Sequence, residues 1–222
     1  GRVVSGTVWH EDPNATRLFF APTARSLPAG RGYVSVYELF MPFVAVGVHD
    51  RITLAAGTPL VFSSQESERL LWFAPKVQLF RHQNAAAAVG VLHFWLAGHQ
   101  SYCRPEDPYC QDDPAHNGVA YGVLTLGSED EAVTLGGGAA YSGFALAEDP
   151  LVFMAGGEVR TSKGLKLITE NYLFPGGSFF ILSGGLRFFG EKLTADLGLF
   201  APLWQGMDTF VALPLVNFVY NW

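Results

Sequence analysis

Charge is scarce in this chain. Asp, Glu, Lys and Arg make up 15% of its 222 residues, against roughly 25% in a typical soluble domain. A soluble protein so poor in charge would struggle to cover its surface. Long apolar runs are also missing. The richest, Phe40–Val48 and Ala85–Leu92, fall well short of the roughly 18 residues a membrane-crossing helix needs. No basic excess exists either: the net charge is −6, which argues against a nucleic-acid partner. Cysteine is limited to Cys103 and Cys110, both in the polar stretch SYCRPEDPYCQDDPAHN. No CxxC or Cys/His metal pattern accompanies them. The spacing predicts a small disulfide loop, as in proteins of oxidising compartments.

Chemical motifs are missing as well. The chain has no G-x-S-x-G, P-loop, GxGxxG, HExxH or EF-hand loop. Of the six histidines, His10, His49, His82, His99 and His116 fall in turns, loops or the polar start of the chain, and only His93 falls within a predicted strand. No serine pairs with it at an argued geometry. Acids at Glu106, Asp107, Asp112 and Asp113 read as a solvated loop. No catalytic residues, metal or cofactor are predicted.

What is present is alternation. The last fourteen residues run TFVALPLVNFVYNW. In a strand, alternate side chains share a face, so Phe210, Ala212, Pro214, Val216, Phe218, Tyr220 and Trp222 line one face. That face is apolar, aromatic near its end, and closes on a tryptophan. Residues Phe218, Tyr220 and Trp222 resemble the C-terminal assembly signal of bacterial outer-membrane β-barrels. The resemblance implies an outer-membrane location and a barrel-assembly machinery as partner. Composition agrees: 49% hydrophobic and 14% aromatic residues, spread over short alternating segments, fit a transmembrane barrel.

Along the chain, residues 1–15 read as an N-terminal periplasmic arm and residues 16–222 as the barrel. Strands are expected at Arg17–Ala21, Tyr33–Val48, Arg51–Phe62, Leu70–Phe80, Ala85–Ala97, Gly118–Leu126, Ala132–Leu146, Leu151–Arg160, Leu165–Phe174, Ser178–Phe189, Leu193–Trp204 and the C-terminal run. That makes an all-β, up-and-down antiparallel barrel of about twelve strands, most near the length a tilted crossing needs. Short turns at 49–50, 81–84, 127–131, 161–164 and 190–192 alternate with connections that include all the long ones. Short turns belong at the periplasmic end of such barrels, which puts both termini there. The chain opens at Gly1 without a signal peptide, as a processed mature form would.

A membrane barrel turns its apolar face outward. Several strands pair one apolar face with one carrying isolated charges. The predicted lumen lining is Glu38, Lys76, His93, Glu158, Arg160, Lys166, Glu170, Arg187 and Asp196. Its four acids and four bases suggest a salt-bridge network that narrows the lumen, since buried charges need partners. The same faces hold much Gly and Ala, leaving room for facing side chains or a ligand. Leu213, Leu215 and Phe200 on the inner side leave an apolar cargo open.

The stretches NATRLFFAPTARSLPAGRGYVSVYELF, LITENYLF and ADLGLFAPL resemble a group of small outer-membrane barrels from Bacteroidetes-like bacteria, which brings no established activity. The sequence therefore points to a narrow channel or uptake pore for small solutes. The alternatives are a plugged accessory barrel that scaffolds a partner, and a lipid-modifying outer-membrane enzyme. Outer-membrane lipid and other outer-membrane subunits are the expected neighbours.

Overall fold

In the computed structural model, residues 2–4, 7–60, 69–97, 116–177, 179–204, 206 and 210–222 are described. A small hairpin of β1 (Arg2–Val4) and β2 (Thr7–Trp9) comes first. Twelve strands follow: β3 (Gly32–Tyr37), β4 (Met41–His49), β5 (Ile52–Gly57), β6 (Arg69–His82), β7 (Ala85–Ala97), β8 (His116–Gly127), β9 (Glu131–Ser142), β10 (Ala145–Ser162), β11 (Leu165–Phe174), β12 (Phe179–Phe189), β13 (Leu193–Trp204) and β14 (Leu213–Asn221). Each pairs antiparallel with the next, and β14 returns to β3 through Asn217↔Tyr37 and Asn221↔Tyr33. The result is a closed up-and-down barrel in which every wall strand has a partner on both sides. No helix among the described residues is long and apolar enough to cross a membrane.

Alternation sets the faces. Leu71, Phe73, Val77 and Leu79 on β6, Leu151, Phe153 and Val159 on β10, and Leu193, Leu197 and Leu199 on β13 are exposed on the outer wall. Their neighbours Lys76, Gln78, Glu158, Thr194 and Asp196 point inward and are buried. Phe218 and Tyr220 lie on the outer face of β14, and Trp222, just past its end, is also exposed. At the closure, Trp222 N–H donates to the Gly32 carbonyl at 3.0 Å. The Trp222 ring lies where a Cβ on Gly32 would stand, so only glycine fits there.

The turns at Asp50–Arg51, Gln83–Asn84, Ser128–Asp130, Lys163–Gly164 and Gly190–Lys192 share one end of the barrel with Gly32 and Trp222. We call it the turn end, and the opposite one the loop end.

The twelve strands are not the twelve that the sequence predicts. Arg17–Ala21 is no part of the wall: it is a buried hairpin inside the barrel. Tyr33–Val48 is not one strand but two, β3 and β4, reversed by Glu38–Phe40. Glu38 and Leu39 sit at φ 50° and 67°, the left-handed pair that a tight hairpin turn requires. Neither is the Gly, Asn or Asp that announces such a turn, so the stretch reads as continuous. The two differences cancel in the strand count. The break predicted at 147–150 is instead a bulge within β10, and the chain reverses at Gly143–Phe144, where Gly143 has φ 60°.

Candidate functional site: a stoppered lumen

Between β2 and β3 the chain enters the barrel from the turn end, folds back on itself and leaves. Leu18 N–H donates to the Ala21 carbonyl at 2.9 Å and Thr23 N–H to Thr16 at 3.0 Å, closing a hairpin around residues 18–21. Leu18, Phe19, Asn14, Thr23 and Ala24 are fully enclosed. The segment rejoins the wall at Gly30, whose N–H donates to Gly47 at 2.8 Å. Asp12, Asn14 and Ala15, within the stretch expected as an arm, are thus buried in the lumen.

Such a plug has no ladder partners for most of its backbone, and buried amide groups must find some. Wall side chains supply them. Lys76 Nζ donates to the carbonyls of Thr16, Thr23 and Arg25 at 3.0, 2.9 and 2.6 Å. Glu170 Oε2 accepts from Phe20 N–H and Ala21 N–H, both at 3.0 Å, while Oε1 accepts from the Tyr172 hydroxyl at 2.6 Å. Gln78 donates to the Ala24 carbonyl at 2.8 Å, and Thr125 and Thr53 accept from Ala24 and Leu27 N–H, both at 2.9 Å. Among the described residues Lys76 and Glu170 thus pair with no opposite charge: each holds plug backbone.

The remaining charges form a chain of ion pairs through the plug. Arg25 meets Glu158. Glu158 meets Lys166 at 2.7 Å, and Lys166 meets Asp12 at 2.9 Å. Asp12 meets Arg187 at 3.3 Å, Arg187 meets Asp196 at 2.7 Å, and Asp196 meets Arg17 at 3.1 Å. Arg187 also donates to the carbonyls of Asn14 and Arg17 at 3.0 and 3.1 Å. Burial alone would raise the Asp12 carboxyl pKa. The charges of Arg187 and Lys166 outweigh that and hold it at about 2.

Glycines make the seat. A Cβ on Gly156 would stand 2.3 Å from Leu18 Cδ1, and one on Gly198 3.2 Å from the Phe19 ring. The small residues on the inner face accommodate the plug.

On the loop-end side the plug presents aromatic rings. Phe20, 44% exposed at the hairpin tip, lies 4.4 Å from Tyr37 and 5.4 Å from Phe200 between ring centroids. Tyr37 stacks on Phe43 at 5.5 Å, and Phe43 lies 5.2 Å from Trp72.

Of the predicted lumen residues, Lys76, Glu158, Lys166, Glu170, Arg187 and Asp196 are brought together around the plug. Arg160 sits at the turn end, bonded to Asp130 at 3.0 Å and stacked over Trp9 at 4.7 Å and Phe189 at 4.9 Å. Two others lie elsewhere. Glu38 is in the β3–β4 turn, where its carboxylate accepts from Val216 N–H at 2.8 Å. His93 faces outward, not into the lumen. Ala86 and Ala88 on β7 are buried inside, so His93 takes the opposite face and bonds Tyr141 on the outer wall at 2.7 Å. Sequence reasoning missed Asp12 and Arg25 because a charge in a non-strand segment looks solvated, and Arg17 because Arg17–Ala21 reads as a strand of the wall. Cys103 and Cys110 lie outside the described residues. Among the described residues no cluster of three or more His, Cys, Asp or Glu could hold a metal ion.

Fold and lumen together define a class: a closed antiparallel barrel with an apolar outer wall and a polar interior, stoppered by its own N-terminal segment. No protein-family model matches the chain, and no curated protein matches it. Among solved structures it is similar to the KdgM porin, both by itself and in complex with disordered oligogalacturonate. Each of the two has 8% sequence identity and a TM-score of 0.58, covering 86% of this chain and 98% of that one. A loop-deletion form of OmpT, an outer membrane protein of Vibrio cholerae, matches at 10% identity and a TM-score of 0.43, over 82% of this chain and 62% of that one. At these identities the likeness is one of fold.

Proposed function

We propose that the protein is an outer-membrane β-barrel that passes small solutes through a narrow lumen, with residues 10–27 as its removable stopper. The carrying observation is how the stopper is held. Beside a buried apolar set at Leu18, Phe19, Ala21, Ala24 and Leu27, it is held by polar contacts that the charges of the wall can do without. Glu158 and Lys166 pair with each other on neighbouring strands, as do Arg187 and Asp196. With the plug gone, these pairs would remain and water would reach Lys76 and Glu170. The result is a polar, mixed-charge passage in place of a collapsed core. The plug is tethered at the turn end, which this reading places in the periplasm, so it would leave toward the periplasm. The name of the KdgM porin, whose fold this chain shares, supports a pore. The terminal Phe218, Tyr220 and Trp222 fit recognition by an assembly machinery of the outer membrane.

Planar-bilayer conductance tests the reading. The wild-type protein is expected to be mostly silent, with rare openings. A chain lacking residues 1–27, and the Glu170→Ala variant that loses two backbone bonds to the plug tip, are expected to open steadily. If inserted barrels stay silent in both variants, the pore reading fails and a closed accessory barrel takes its place.

A further inference from the structure

The outer wall is apolar except at one place. On β7, His93 and Trp95 face outward. Trp95 pairs with His116 on β8, and His93 pairs with Gly118, which in turn pairs with Tyr141 on β9 and so leads to Leu146 on β10. Gly118 makes the arrangement possible. The Tyr141 ring lies where a Cβ on Gly118 would stand, so the phenol reaches across β8 and its oxygen bonds His93 Nδ1 at 2.7 Å. The β9–β10 turn closes over the start of β8: Gly143 N–H donates to the His116 carbonyl at 2.9 Å. That sets the Phe144 ring edge-on to His116, 5.1 Å between centroids. His93, Trp95, His116, Tyr141, Phe144 and Leu146 line a groove of about 620 Å³.

Height tells what this groove meets. Counted from the turn end, His93 is the ninth residue of β7 and Tyr141 the eleventh of β9. A strand crosses the hydrocarbon in about 9–11 residues. With the turn end in the periplasm, the groove stands at the outer end of the crossing, level with the lipid headgroups. Aromatic rings belong at that level, and they account for Trp95, Tyr141 and Phe144. They do not account for two imidazoles 5.9 Å apart between ring centroids, since ionisable groups on a lipid-facing surface mark function. The phenol is the better acid of the bonded pair, so its O–H donates to His93 Nδ1, and the proton of the imidazole stays on Nε2 as a free donor. A base stands close by: Arg69 is on the outer face of β6, one step beyond the pair Leu71↔Trp95. The outer faces of β7, β8 and β9 carry no acid above Glu131 at the turn end. Glu148 and Asp149 lie in the β10 bulge beyond Leu146, and Asp149 is turned against Gly176 in the β11–β12 turn. Two imidazoles are one short of the three protein ligands a zinc site uses, and no third joins them among the described residues. Donors and bases without acids suit an anion.

We propose that the groove on β7–β10 binds the anionic phosphate headgroup of an outer-leaflet lipid. His93 Nε2–H, the His116 imidazole and the Arg69 guanidinium meet the phosphate oxygens. The exposed side chains of Trp95 and Leu146 take the start of the acyl chains. A free phosphate ion would use only the polar half and leave that apolar surface in water. The inference rests on the outer-membrane part of the reading above and not on an open lumen.

The test uses the full chain in dodecyl maltoside, a detergent without phosphate, with dioleoyl phosphatidic acid as probe. Phosphorus NMR is expected to show a saturable shift of the lipid phosphate. His93→Phe and His116→Phe, which keep an apolar outer wall, should each raise the half-saturating concentration about tenfold, the loss of one charge-assisted bond. His82→Phe at the turn end should leave it unchanged. Dioleoylglycerol, which lacks the phosphate, should not compete, and inorganic phosphate should compete only at far higher concentration. The wild type gives a reading that needs no variant: two of its six histidine ring signals should move with the lipid while the other four stay. Absence of a saturable shift, equal effects at His82, displacement by dioleoylglycerol, or inorganic phosphate binding as tightly as the lipid would overturn the site. Conductance of the plug-deleted chain is read separately. A conducting barrel without the phosphate shift loses this site alone, whereas a silent barrel that shows the shift loses the pore alone.

Discussion

The two halves of the lumen are built from different materials. Toward the turn end, plug and wall meet through charges and backbone bonds: Asp12, Arg17 and Arg25 against Glu158, Lys166, Arg187 and Asp196. Toward the loop end the same plug shows the bulk of Phe20 to a row of aromatic rings and to open space. An ionic contact fixes register, because each charge accepts few partners and a misplaced one is stranded in low dielectric. An aromatic surface is tolerant and accepts many apolar shapes. The lower half is thus suited to one occupant, the chain's own N-terminal segment, while the upper half sets fewer conditions on what it meets.

If that division holds, the largest effect belongs to Arg187. It is fully buried and joins Asp12 and Asp196 while donating to plug carbonyls. Arg187→Met removes the hub from two buried carboxylates and is expected to weaken docking by about 3–5 kcal/mol. Trypsin reads the result directly. Arg17 and Arg25 are enclosed in the docked plug and should be cut rapidly in the variant and slowly in the wild type. Protection as strong as wild type would mean that the ion pairs do not hold the plug.

Acid should act on the same half, more weakly. The Asp12 carboxyl is held at about 2, below its ordinary 3.8, so the docked plug binds fewer protons at this site than the released one. Its contribution is complete above about pH 4 and is lost as pH falls from there through 2. The shift corresponds to about 2 kcal/mol. Pepsin, which is active in that window, should cut near Phe19–Phe20 increasingly fast relative to an unstructured control as pH drops. Asp12→Asn should be cut readily at every pH in the range. A flat pH response in the wild type would mean that Asp12 stays paired or that other contacts dominate.

The wall was legible in the sequence and the plug was not, for a physical reason. Period-2 alternation marks any strand with one face in lipid and one in a polar interior, so β6, β7 and β10 to β14 could be read, together with the turns between them. The inward charges Lys76, Glu158, Lys166, Glu170, Arg187 and Asp196 followed from the same parity. Parity fails where a strand's identity depends on its neighbours. On β7, the run Ala85–Ala88 has no polar residue to mark the inner face, and His93, which reads as an inward polar residue, faces Tyr141 outside. The plug carries no period at all. Its residues Thr16, Thr23, Ala24 and Leu27 are held by side chains from β5, β6 and β8, more than 25 residues away in each bond. Gly156 and Gly198 signalled that something large faces them, without saying what.

The smallest expected effect lies at the boundary between the two halves. Phe20 belongs to the plug, yet its ring touches Tyr37 and Phe200 on the loop-end side and is half open. The groups that anchor its position are backbone ones, the N–H groups of Phe20 and Ala21 on Glu170, and Phe20→Ala keeps both. Loss of the two ring contacts should therefore cost about 1 kcal/mol or less of docking, leaving trypsin protection and resting conductance near wild type. A variant in which the plug comes loose would show that the aromatic half also holds it, and the division between the two halves would fall. Intact docking would mean that the charges and backbone bonds of the other half carry the hold on the plug.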